Sequence, residues 1–136
     1  MKHKHLFILL MVCLTGCKKL PPAGFWTDFD SPHITDKNSD QGPWGGNRTI
    51  YWENKAGIKD TDMLKFAHEN EWILLNTRNV IDPAVEMDKW IKYPGKLYIF
   101  NSEWTTEVDG KDKIAYGYIL ISDDHKRMSL YHSWGQ

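Results

Sequence analysis

The chain has 136 residues, with 17 Lys and Arg against 18 Asp and Glu and a formal net charge of −1. Nothing in that balance supplies the basic patch that nucleic-acid binding calls for. The length is one domain's worth, enough to bury a core without disulfides, and the only two cysteines, Cys13 and Cys17, both lie near the start.

In chain order, Met1–His5 is polar and carries positive charge, Leu6–Leu14 is continuously apolar, and Thr15-Gly16-Cys17 closes the run with small residues. A basic start, a short apolar stretch and a small-residue exit have the layout of a secretory signal peptide. The apolar stretch is too short for a membrane span, which takes roughly 20 such residues. Leu14-Thr15-Gly16-Cys17 is an aliphatic residue, a small one, a glycine and a cysteine. In this it resembles the lipobox of bacterial lipoproteins with a type II signal peptide. The resemblance implies removal of residues 1–16, an S-diacylglycerol thioether and an N-acyl group on Cys17, palmitate labelling, and a membrane anchor. It further implies a place in the cell envelope. Lys18 rather than Asp follows the cysteine, which favours the outer membrane, facing the periplasm. Thiolate nucleophilicity is the reason such chemistry takes a cysteine. The resemblance covers the first 17 residues and says nothing of the domain behind them.

Residues 17–46 are rich in Pro, Gly, Asp and Ser and show no period of 2 or 3.6, so they read as a lipidated tether and an irregular arm. Phe25, Trp26 and Phe29 are too apolar for an inert linker and are expected against the domain or the lipid surface. A single domain is expected over residues 47–136. Thr49–Trp52 is β-branched and aromatic, a good strand. Asp60 can cap a helix with Met63, Phe66 and Ala67 on one face, ended by a left-handed Asn70. Trp72–Leu75 reads as a mostly buried strand. Asp82-Pro83 offers a second, short helix with Ala84, Met87, Trp90 and Ile91 on one face. Leu97–Glu107 alternates, Asp109-Gly110 supplies a turn, Ile114–Ser122 resumes, Ser122–Lys126 turns again, and Met128–Trp134 is the last strand. The expected fold is α+β: a mainly antiparallel sheet, one helix (two with the Asp82 segment) on a face, and a C-terminal three-stranded meander.

The motifs that carry chemistry fail one by one. His68-Glu69 begins like a zinc-protease helix, but Trp72 stands where the second histidine is needed. Asp123-Asp124-His125 has metal-capable atoms in a turn where Asp is common for backbone reasons. His132 and Ser133 are neighbours on a strand and point to opposite faces. Gly42–Asn47 is glycine-rich but lacks the Lys-Ser/Thr of a phosphate loop. Carboxylates such as Glu103 and Glu107 cannot be paired from spacing alone. No catalytic, metal or cofactor site is therefore expected.

Two functions from different classes fit. The first is a non-enzymatic module that binds a protein partner in the envelope, as an immunity or inhibitor protein or an assembly accessory would. Its basis is small size, a tether and seven tryptophans, because Trp and Tyr dominate binding hot spots. Trp134, near the chain end, is the contact residue singled out. The second is a small enzyme or ligand-binding lipoprotein with a pocket between helix and sheet, in which His132, Tyr131 and Tyr116 are the first residues to consider.

Overall fold

The computed structural model describes residues 23–42, 45–108 and 111–134. Cys17 and the signal segment, Trp44, and the Asp109-Gly110 turn lie outside the described residues, as do the side chains of Glu103 and Glu107. One helix and six strands follow in the order β1 (Ile34–Gln41), β2 (Gly46–Glu53), α1 (Asp60–Glu69), β3 (Ile73–Val80), β4 (Gly95–Val108), β5 (Lys111–Ser122) and β6 (Arg127–Trp134). They form one sheet with strand order β1-β2-β6-β5-β4-β3. Every pairing in it is antiparallel. The fold is thus α+β, and β4, β5 and β6 form the expected C-terminal meander.

Alternation sorts the strands into two faces. Ile50 and Trp52 of β2 sit opposite Leu130 and Met128 of β6, and Ile119 of β5 continues the same row. These residues form one core cluster with Met63 and Ala67 of α1. α1 begins at Asp60, one residue earlier than a cap there would give. The carboxylate of Asp60 accepts a hydrogen bond from the Tyr98 hydroxyl and lies 3.1 Å from His125 Nδ1. It ties the helix to the sheet and to the β5–β6 turn rather than capping the helix. At the other end the left-handed residue is Glu71 (φ 64°), one position beyond the expected Asn70. The Glu71 N–H donates to the His68 carbonyl and the Trp72 N–H to the Ala67 carbonyl. These two bonds make a Schellman close to the helix, and they deliver Trp72 onto the sheet.

Trp72 rests over Gly117 of β5. A Cβ built at residue 117 would stand 2.0 Å from the indole, so only glycine lets the ring settle there. Around Trp72 gather Trp26 at 5.3 Å, Phe25 at 5.8 Å and Phe100 at 5.6 Å between ring centres. The mutual angles of these pairs are mostly edge-on or tilted, as ring quadrupoles prefer.

Three expectations are corrected. The segment before residue 47 is more than an arm. Gly24–Asp28 forms a 3₁₀ turn that buries Trp26 completely, and Ile34–Gln41 is a full strand on β2. The packed domain therefore includes the residues from Ala23, which is itself buried. The Trp72–Leu75 strand is buried only at Trp72, because β3 is an edge strand, and Ile73, Leu74 and Leu75 are 46%, 42% and 54% exposed. The second helix reduces to one 3₁₀ turn at Pro83–Val85, capped by the Asp82 carboxylate, and Met87 is 98% exposed. The chain instead runs irregularly across the sheet face opposite α1, burying Trp90, Ile91 and Tyr93 against Leu97 and Leu120. The Tyr93 hydroxyl bonds Ser129, and the Arg127 guanidinium lies 4.5 Å over the Tyr93 ring. A helix would surrender those anchors.

Two substitutions test this packing. Trp26→Ala should destabilise the domain by ~3–5 kcal/mol, as loss of a fully buried large aromatic does, and Gly117→Ala should also lower the denaturant midpoint. If Trp26→Ala unfolds at the wild-type midpoint, the residues before 47 are not part of the core.

Candidate functional site

The middle of the helix side of the sheet is filled by large rings, and an aromatic cleft opens on the other side. Alternation places Tyr116 and Tyr118 of β5 and Tyr131 of β6 on the face away from α1, with Ile99 of β4 beside them. Trp90 arrives from the irregular 81–94 segment and stacks on Tyr131, with ring centres 5.7 Å apart and planes within 7°. Tyr118 leans on both rings, at 6.3 Å from Trp90 and 6.2 Å from Tyr131. Beside this aromatic stack is a cleft of about 340 Å³, bordered by Tyr116, Tyr118, Tyr131, Ser133, Arg78 and Asp88.

The electrostatics of the cleft are those of neutral donors beside one fixed ion pair. Desolvation raises the Tyr118 phenol above its ordinary value, and the neighbouring Tyr116, Asp88 and Tyr131 add to the effect. Tyr118 therefore stays protonated and offers an O–H. Arg78 is engaged in a bidentate pair with Glu86, with Nη1–Oε1 2.8 Å and Nη2–Oε2 2.7 Å. That pair fastens the start of the 81–94 segment to β3 and fixes one wall. The arrangement can hold a flat or apolar group against rings and meet its polar atoms with hydroxyls. The sequence nominated Tyr116 and Tyr131 for a pocket. It missed Trp90, Tyr118, Arg78 and Asp88. Tyr118 was within reach of the same alternation, two residues from Tyr116.

The three residues nominated for a pocket under the helix are not brought together. Tyr116 and Tyr131 face the cleft, whereas His132 points to the helix side, where it is fully buried. Its ring lies 5.4 Å from Trp72 and 5.3 Å from Trp134. Its Nε2 is 3.2 Å from Ser102 Oγ, and that hydroxyl already donates to the Ala115 carbonyl at 2.9 Å. His132 must then donate to Ser102, the reverse of the bond that activates a serine nucleophile. Desolvation, with a smaller push from the Arg48 charge, lowers its pKa to about 3. Ser129 bonds Tyr93 on the other face.

The remaining nominated residues have plain positions. His68 is exposed on α1. Asp124 closes its own turn, accepting from Ser122 Oγ at 2.5 Å and from the Lys126 N–H at 3.0 Å. Among the described residues no three His, Cys, Asp or Glu side chains are grouped to hold a metal ion. Trp134 is only 6% exposed. It shares the face of His132, and a Cβ at Gly46, its partner on β2, would come within 2.7 Å of its ring. Its ring is therefore largely packed inside, and Trp134 also borders the aromatic cleft. No family model, curated protein or solved structure matches the chain.

His132 makes a testable contribution to acid stability. Its pKa is about 3 in the fold against 6.5 for an ordinary histidine. Between those values the unfolded chain holds a proton that the folded one refuses. Stability from this group is complete above pH 6.5 and falls as pH drops toward about 3, by at most ~1.4 kcal/mol per unit. His132→Phe keeps a ring between the tryptophans and removes the proton. Its unfolding free energy, measured by denaturant titration across that range, should depend on pH by nearly one proton less than wild type. Equal slopes would show that His132 is protonated in the fold.

Proposed function

We propose that the chain is a lipid-anchored lipoprotein of the bacterial cell envelope that works stoichiometrically, as a non-enzymatic module binding another protein. The anchor rests on the likeness of Leu14-Thr15-Gly16-Cys17 to a lipobox. The binding role rests above all on where the exposed apolar side chains lie. Ile73, Leu74, Leu75, Ile81, Val85 and Met87 are, with Tyr116, the exposed large hydrophobic residues among the described ones. All six aliphatics belong to β3 and the segment that follows it.

β3 is also a sheet edge, and such edges normally carry charges, prolines or short strands that discourage pairing. The opposite edge follows that rule, since β1 carries Asp36, Lys37 and Asp40. β3 departs from it in charge, because its one charged side chain is Arg78, which Glu86 already neutralises, and its one protective irregularity is the bulge between Leu74 and Asn76. An edge strand bearing aliphatics, with one side open, is the template for strand addition, where main-chain bonds give affinity and alternate side chains give specificity. The partner envisaged is thus an envelope protein that lays an extended apolar segment along β3. Such docking fits an inhibitor of a delivered toxin or an assembly accessory.

The second reading, a small enzyme or ligand-binding lipoprotein, is favoured by the aromatic cleft beside Tyr118. That cleft is on the face away from α1 and not beneath the helix, where this reading first put it. A ligand there would meet β3 at Arg78 and leave Ile73, Leu74 and Leu75 uncovered.

Two experiments test the anchor and the docking edge. Cys17→Ser should abolish palmitate labelling, and continued labelling would refute the anchor. Ile73→Lys with Leu75→Lys should leave the melting transition in place, since both side chains are exposed. It should weaken crosslinked capture of the envelope partner by at least ~2 kcal/mol, or about 30-fold. Capture unchanged by the double substitution would remove β3 as the docking edge.

A further inference from the structure

We propose that Lys37 and Arg48 form a binding site for a phosphate-type oxyanion on the α1 side of the sheet, near its β1 edge. Register puts Lys37 opposite Ile50 and Ser39 opposite Arg48. These four residues therefore share one face, while Asp36 and Asp40 alternate to the other. The 3₁₀ turn at Gly24–Asp28 brings Thr27 alongside. Thr27, Lys37, Asn38, Ser39, Arg48 and Ile50 enclose a hollow of about 300 Å³.

The lining holds two cations and no carboxylate. Among the described residues neither Lys37 nor Arg48 takes part in an ion pair. The Arg48 Nε is shut off from solvent without a hydrogen-bond partner. Burial also draws the Arg48 guanidinium below its ordinary value, with no acid nearby to offset this. Arg48 is only partly buried, yet its Nε is left with neither water nor a partner, which carries a cost. An anion in the hollow removes that cost.

The hydroxyls fix the kind of anion. Ser39 Oγ accepts from Gln41 Nε2 at 3.0 Å, so its own proton is available to donate into the hollow. Thr27 spends its proton on the Gly24 carbonyl at 2.9 Å and keeps Oγ1 as an acceptor. Arginine, lysine and serine donors around one hollow suit several oxygens on a tetrahedral centre, and the Thr27 acceptor suits a protonated one.

Two sources carry such a group: free phosphate and a phospholipid headgroup. The hollow adjoins the first described turn after Cys17, and an extended chain from Cys17 to Gly24 spans at most ~25 Å. If Cys17 is acylated, the hollow stays within reach of the lipid surface. That source alone rests on the lipoprotein reading.

The test uses the full chain in an uncharged detergent, titrated with inorganic phosphate and separately with short-chain phosphatidylglycerol, chloride being the control at equal ionic strength. Backbone amide shifts of Lys37, Ser39 and Arg48 report binding. Saturable shifts with one titrant or both are expected, at least tenfold weaker in Lys37→Ala and in Arg48→Gln. Lys37 is exposed on an edge strand, so its variant keeps the fold even if Arg48→Gln does not. The stronger titrant names the source. Shifts no different from chloride, or equal affinity in Lys37→Ala, would overturn the site. Neither titration needs an acylated Cys17, so loss of the anchor reading would leave this result standing.

Discussion

The seating of Trp72 over Gly117 is the contact on which the rest of the domain depends. It requires a bare backbone at one point of β5, and it fixes where the helix must stop and where the next strand must start. The Schellman close at Glu71 turns the chain by the geometry that lowers Trp72 onto that spot. The indole then becomes the floor for Trp26, Phe25 and Phe100 and the lid over His132. Because Trp72 is the last buried residue before β3, the strand leaves the core at once. Its next three residues, all aliphatic, lie on the outer edge of the sheet.

This division gives the two faces and two edges different characters. The α1 face is packed with large rings around Trp72, keeps His132 neutral, and opens toward the β1 edge beside Arg48. The other face is covered by an irregular strap held at Trp90 and Tyr93, and the strap ends short of Tyr116, leaving the aromatic cleft. Of the edges, β1 is charged and suited to water, whereas β3 opens with three aliphatics and carries a single charge. Folding alone gives no reason to keep aliphatics on an exposed edge strand, since each exposed methylene forgoes ~0.8 kcal/mol of burial and invites aggregation. A partner strand accounts for both. The tether that a lipid anchor implies would let this edge search the envelope space.

Much of the fold was legible in the sequence, for reasons that also explain the misses. β2 and the meander carry β-branched and aromatic residues in period 2, and α1 shows Met63 and Ala67 one turn apart. β1, Ile-Thr-Asp-Lys-Asn-Ser-Asp-Gln, shows no period because an edge strand with both faces largely in water needs none. Ile73–Leu75 looks buried because apolar runs usually are; only the strand order reveals an edge. The Asp82 segment has a capping residue, a first-turn proline and helical spacing, yet Trp90 and Tyr93 gain more by reaching Tyr131 and Ser129 in an irregular path. Tertiary contact outweighed local propensity there. The cleft follows the same line. Its tyrosines follow from alternation, whereas Trp90, Asp88 and Arg78 come together only through the path of that strap. Lys37 and Arg48 belong to strands whose pairing no local pattern announces.

The central claim is that β3 is the working edge. Amide hydrogen exchange read residue by residue tests it most directly, first on the free protein and then on the crosslinked complex with the proposed envelope partner. In the free protein the outward amides of β3 should exchange rapidly while those facing β4 are protected. In the complex the outward amides of β3 should become protected at alternate positions, with little change in β1. Protection that appears elsewhere, with β3 exchanging as it does in the free protein, would contradict the account.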